Sequence, residues 1–276
     1  MVYKITFFLL IFSMFFSGFA ADESLTILDT GNTSAYLQEF FGKVFNKENI
    51  ALPQDIAINI IKTDPDGIKH IPLNSVIADD GLTLSKLPED CSKNIYAYLP
   101  VILAVHKNNP LEELDIPTLQ RIYSGRGGDW SRIGGKAGKI ILAGYPEASA
   151  IGRVFRKSVM QQDLLAKGDM DIQKAVAPDM ITCHTPEAAT ALVQSSENVI
   201  VYGGAGLLEN SQKKYKILKI NGVFPSRENI LSGKYKTVSA HAVIYSRNNP
   251  PARLAELLKF LRLSTAEYAK DMLPVK

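Results

Sequence analysis

Apolar positions along the chain fall into two rhythms. Short runs such as "DIAINIIKT", "HIPLNSVIADD", "KIILAG", "NVIVYGG" and "SAHAVIYSR" are rich in Val and Ile and read as strands. Between them lie stretches with helical spacing and capping residues. Asp115 caps "IPTLQRIYSG", with Gly125 past its end, and Thr185 caps "TPEAATALVQ", with Pro186 in the first helical position. Near the start, "LTILDTGNTSAYLQEFFGKVFNKEN" reads as strand, polar turn and helix. Thr33 or Ser34 is the cap there, and Tyr36, Phe40, Phe41 and Val44 face the core. "AYLPVILAVHKNNP" reads as one buried strand, and "PARLAELLKFLRLSTAEYAKDM" as a closing amphipathic helix. "DMITC" and "YKILKING" add strands, and "SRENILSG" adds a short capped helix. This alternation predicts an α/β fold with mainly parallel pairing.

The first twenty residues break the rhythm. "MVYKITFFLLIFSMFFSGFA" holds one Lys, an apolar run from Ile5 to Phe16, then Gly18 and Ala20 at the positions a signal peptidase reads. The run is well short of the ~20 residues of a membrane span. The expectation is a cleavable signal peptide over 1–20 and a periplasmic or secreted protein, with no Cys at the cut to carry a lipid. The chain of 276 residues has net charge +3. Its Lys and Arg are interspersed with acids, so no nucleic-acid partner is expected. Export leaves Cys91 and Cys183 open to either fate, a disulfide or two separate thiols.

Enzyme signatures are missing: no G-x-S-x-G elbow, H-E-x-x-H, phosphate-binding P-loop or G-x-G-x-x-G after a strand. The four His residues (His70, His106, His184, His241) are isolated and read as packed or surface side chains. Of the neighbours Asp79 and Asp80, a strand end presents only one to any one site. Trp130, between glycines, reads as a loop anchor. No enzyme activity and no cofactor are expected. A metal-dependent phosphoester hydrolase using Asp64, Asp66 and Asp80 has only the carboxylates in its favour.

The stretch "LDIPTLQRIYSGRGGDWSRIGGKAGKIILAG" resembles the middle of the phosphate ABC-transporter substrate-binding proteins. Ile122-Tyr123-Ser124-Gly125, Trp130 and Gly134-Gly135 fall in the family's order. "VIVYGG", with Tyr202, and "LKINGVFPSRENILSGKY" are similar to two further family segments. The resemblance implies a type II periplasmic-binding-protein fold: two lobes of mixed, mainly parallel sheets with flanking helices, closing on a ligand about hinge strands. It implies one lobe of residues 21–103 plus 204–276, a second of 104–203, and crossings near Leu103 and Tyr202. The implied partners are a small anion such as phosphate and a membrane permease, and the protein is expected to be a monomer.

Four loops grip the ligand in that family, and the resemblance carries them onto this chain unevenly. The first maps to Gly31-Asn32-Thr33-Ser34, where Thr33 and Ser34 keep hydroxyls at a helix start. The second maps to Thr63–Gly67, with Asp64 at a Ser position. In the third, Asp80 holds the place of the acid that accepts the ligand's proton. In the fourth, Tyr145 stands where the family has Arg, and Ser149, Ala150 and Ile151 replace Ser-Gly-Thr. Losing an Arg fork removes charge-assisted bonds of roughly 1.5–3 kcal/mol each. The bulk of Tyr145 and Ile151 points to a less charged ligand or altered specificity. Arg153, just inside the helix, is expected to face outward. The alternative reading is a secreted interaction protein with a degenerate site on the same scaffold.

Overall fold

The computed structural model describes residues 25–29, 58–63, 68–161 (except 83, 85 and 88), 175–209 and 215–275. Strands β1 (Leu25–Asp29), β2 (Ile58–Lys62), β3 (Ser75–Asp79) and β4 (Cys91–Pro100) come first, then β5 (Ile102–His106), β6 (Glu113–Leu114) and helix α1 (Ile116–Arg121). Next are β7 (Ile141–Gly144), α2 (Ala150–Ser158), β8 (Ile181–Thr182), α3 (Pro186–Ser195), β9 (Val199–Gly203) and the short α4 (Gly206–Glu209). The chain ends with β10 (Tyr215–Ile220), α5 (Arg227–Leu231), β11 (Val238–Ser246), α6 (Leu254–Tyr268) and β12 (Leu273–Pro274).

These strands form two six-stranded sheets, ordered β12-β4-β11-β3-β1-β2 and β6-β10-β5-β9-β7-β8. Five pairings are parallel and five antiparallel among the described residues, so the expected parallel bias holds only at one side of each sheet. In the first sheet that side is β3-β1-β2; in the second it is β9-β7-β8, with the short β6 also parallel to β10 at the opposite edge. In the second sheet the carboxyl ends of β7, β8 and β9 open onto turns that precede α2, α3 and α4, the usual place for a ligand in such sheets.

The single buried strand expected over "AYLPVILAVH" is two. Pro100 and Val101 end β4 in the first sheet, and β5 enters the second. The Val101 N–H bonds to the Thr237 carbonyl at 2.9 Å, and the Tyr235 hydroxyl donates to the Val101 carbonyl at 2.5 Å. The two crossings between sheets therefore run side by side, at Val101 and at Thr237. The return expected near Tyr202 is not there: Leu103 and Tyr202 are register partners inside the second sheet. The β10 strand stays in that sheet too, paired antiparallel with β5. Its apolar pattern predicts a strand and leaves the partner sheet open.

Both halves have continuous apolar interiors, with Val76, Tyr96, Leu103, Phe155, Ile200 and Leu257 all buried. Gly125 ends the α1 segment with φ 80°, a conformation that favours glycine. Trp130 is buried and its indole N–H donates to the Asn198 carbonyl at 2.9 Å, the loop anchor read from sequence. Cys91 and Cys183 are both free and buried, one at the start of β4 and the other just past β8. Burial raises both thiol pKa values above the ordinary range.

Candidate functional site

Helix α2 lies between the two sheets, and its placement begins with three aromatic rings. Phe155 on α2 stacks on Tyr202 of β9 with ring centroids 3.9 Å apart. Tyr123 packs edge-on against both, at 4.7 and 5.4 Å. The Tyr202 hydroxyl donates to the Tyr145 carbonyl at 2.6 Å, and the Tyr123 hydroxyl to the Ala143 carbonyl at 3.1 Å. Two residues singled out by motif thus hold the backbone between β7 and α2. The turn is compact: a Cβ on Gly144 would strike the Tyr202 ring, and one on Gly152 the Pro146 carbonyl.

Ser149 caps α2. Its hydroxyl accepts from the Gly152 N–H at 3.1 Å and donates to the Pro146 carbonyl at 2.6 Å. Ala150 opens the helix half-buried, and Ile151 is buried. The far side of α2 meets β4 and β11 of the first sheet. The helix therefore has two covered faces, and along it only Lys157 is fully exposed.

Across from α2, β3 ends in the two acids. They point to different partners, as adjacent strand residues must. Asp79 Oδ2 lies 2.6 Å from Lys93 Nζ, and Asp79 Oδ1 accepts from the Gly81 N–H at 3.0 Å. Asp80 is 1% exposed; its Oδ1 accepts from the Leu82 N–H at 2.9 Å. Its Oδ2 accepts from Arg153 Nη2 at 2.8 Å, and Arg153 reaches it from α2. The expectation that Arg153 faces outward is thus overturned, because that face of the helix is covered by the first sheet. Only 13% of its side chain is exposed.

β11 completes the wall. The Ser239 hydroxyl donates to the Asp80 carbonyl, and Gly81, at φ 72°, lies so close to Ala240 that a Cβ would sit 2.7 Å from its carbonyl oxygen. His241, on the same strand, is buried, and burial holds its imidazole neutral, with its pKa down to about 4. Asp80 pulls that value up, while Arg153 and Lys93 push it down. The sequence reads His241 as a packed or surface side chain, and it is the packed kind.

Tyr145 goes elsewhere. It is 4% exposed, its ring lies beside Gly203, and its hydroxyl faces the carboxyl of Asp271. Burial and that acid hold the phenol far above its ordinary range. Asp271 sits against Gly204 and Gly206, whose N–H groups face its carboxyl; burial nevertheless raises its pKa to about 6. Of the residues chosen from sequence, Ser149, Ala150 and Ile151 lie at the start of α2, the helix whose Arg153 bonds to Asp80, and Tyr145 turns to Asp271. Thr33, Ser34 and Asp64 lie outside the described residues. Among the described residues no group of three His, Cys, Asp or Glu is placed to hold a metal ion, and no helix is long and apolar enough to cross a membrane.

Solved structures share this architecture. An ABC-type phosphate transport receptor from Vibrio cholerae is 18% identical, with a TM-score of 0.66 over 89% of this chain and 98% of that one. PstS from Borrelia burgdorferi is 16% identical, with a TM-score of 0.65 over 92% and 99%. By sequence, the phosphate-binding protein PstS of Borreliella burgdorferi is 20% identical over 193 residues, 69% of this chain and 67% of its own length. That of Bacillus subtilis is 23% identical over 166 residues, 60% of this chain and half of its own length. A family model described as a PBP superfamily domain matches residues 31–265. The fold is that of the type II periplasmic binding proteins, and the chain belongs to the PBP superfamily.

Proposed function

We propose that the chain is an extracytoplasmic solute-binding protein of the phosphate ABC-transporter type. It takes phosphate or a related oxyanion between its lobes and presents it to a membrane permease. The observation that carries the reading is the buried carboxylate of Asp80, just past β3, bonded across to Arg153 in the first turn of α2. A carboxylate acceptor opposite a helix N-terminus suits a protonated oxyanion: the N–H groups take the charge, and the acid takes the proton. The relatives support it, two being phosphate-binding proteins, as does a Clostridium perfringens protein solved with bound phosphate (19% identical, TM-score 0.52).

In this reading residues 1–20 are a signal peptide, and the mature chain carries +30 − 28 = +2. The first lobe runs to Pro100 and resumes at Val238; the second spans the residues between, and the hinge is at Val101 and Thr237. The ligand contacts Asp80, the α2 start at Ser149, Ala150 and Ile151, and the loops holding Thr33, Ser34 and Asp64. The protein acts as a monomer and catalyses nothing. Thermal unfolding of residues 21–276 with millimolar phosphate tests this. Ligand at 100 times its dissociation constant adds about 2.7 kcal/mol, a clear rise in midpoint. An unmoved midpoint with phosphate and with other oxyanions returns the scaffold to the interaction-protein reading.

A further inference from the structure

The guanidinium missing at Tyr145 has a counterpart eight residues later. Arg153 enters the interface of the two sheets from α2, with 13% of its side chain exposed. One of its nitrogens, Nη2, is bonded to Asp80. Its Nε is buried and has no hydrogen-bond partner. A buried donor left unmade is costly, and a guanidinium presents its donors as a rigid fork suited to two oxygens of one anion. Its N–H begins the helix ladder by bonding to the Ser149 carbonyl at 3.0 Å, so fork and helix start are one rigid unit. The nearby cation Lys93 is held by Asp79, and His241 is neutral. Among these described cations, Arg153 is the one with a fully buried donor that has no partner.

We propose that Arg153 is the anion-gripping residue of this protein, and that its bond to Asp80 is the resting contact a ligand replaces. The inference rests on the solute-binding reading and sharpens its ligand class. The ligand is a tetrahedral oxyanion carrying at least one proton: two of its oxygens accept from the fork, and its protonated oxygen donates to Asp80 in place of Nη2. The less charged or apolar ligand read from the bulk of Tyr145 and Ile151 is thereby excluded, because Tyr145 is committed to the Asp271 side. Because Arg153 stands on α2, which follows β7 of the second sheet, and Asp80 follows β3 of the first, the same exchange couples ligand entry to the contact between the lobes.

The test is calorimetric titration of residues 21–276 with inorganic phosphate, comparing the unaltered chain with Arg153→Lys, Arg153→Gln and Arg156→Gln. Arg156 lies on the same helix, 3.7 Å from Glu147, and serves as the charge control. The expected result is a tenfold or greater loss of affinity for Arg153→Lys, which keeps the charge and loses the fork. Arg153→Gln is expected to lose at least a hundredfold, and Arg156→Gln to bind as the unaltered chain does. Circular dichroism and phosphate-free unfolding establish that each variant is folded. Should the Gln variant fail to fold, the Lys variant, still paired to Asp80, carries the test. Phosphate binding that survives both Arg153 substitutions overturns this inference and leaves the solute-binding reading standing. No binding by the unaltered chain overturns both.

Discussion

Asp80 and Asp271 are buried acids in the same molecule, each reaching from the first half of the fold to the second, and their surroundings differ in kind. Asp80 faces a guanidinium at 2.8 Å on α2. Asp271 faces the phenol of Tyr145 and the backbone of Gly204 and Gly206, with Glu187 adding repulsion, and its Oδ1 has no hydrogen-bond partner. A cation can be exchanged for the donors of a ligand. A tight backbone contact cannot: a Cβ on Gly204 would lie 2.6 Å from the Asp271 carbonyl oxygen, and the Ala205 N–H bonds to that oxygen at 2.9 Å. One contact is built to change partners, and the other fixes the chain beside it. Tyr145, at the position where the related family has its Arg, has been recruited to the fixed one.

The comparison breaks most sharply at Arg153. Arg153→Ala leaves the Asp80 charge buried without its partner, a change that typically costs 3–5 kcal/mol, so about that loss is expected in urea unfolding without phosphate. Adding Asp80→Asn to it recovers much of the loss. A loss under about 1 kcal/mol for Arg153→Ala would show the pair to be open to water.

The pH dependence sharpens the other side. The Asp271 pKa is raised from 3.8 to about 6, so its share of stability is present at pH 3.8 and below and is lost as pH rises to 6. The His241 pKa is lowered from 6.5 to about 4, so its share is present above pH 6.5 and is lost as pH falls to 4. The two oppose each other over one window. Asp271→Asn removes the first, and the variant is expected to lose stability, relative to the unaltered chain, as pH falls from 7 to 4.5, by on the order of 2 kcal/mol. His241→Gln is expected to tilt the profile the other way. Equal profiles for all three proteins would mean neither group is held as described.

The smallest effect is at the helix start. Ser149→Ala removes the α2 cap and is expected to cost about 1 kcal/mol. If Ser149 also touches the ligand, phosphate affinity falls further than Ala150→Gly makes it fall; equal losses would confine Ser149 to capping.

Much of this was legible in the chain because local chemistry decided it. The caps at Asp115 and Thr185 each accept from the N–H three residues on, as their side chains dictate. That Asp79 and Asp80 take different partners was readable because adjacent strand residues must diverge. Arg153 was not: reading one apolar face of α2 sends its other face to solvent, and only the tertiary arrangement puts a second sheet there. Tyr145 was misleading for a similar reason. Its position in the sequence matches a ligand loop, and its side chain turns to a C-terminal segment that nothing nearby in sequence announces. That β10 joins the second sheet was not legible, because a strand's own pattern carries no mark of which sheet it joins.

The most direct measurement of the central claim is the NMR signal of the Arg153 Nε–H in ¹⁵N-labelled mature protein, assigned with Arg153→Lys and followed through a phosphate titration. The account predicts that this resonance shifts downfield and its exchange with water slows, in step with saturation. Saturable phosphate binding with the Arg153 signal unmoved would contradict it.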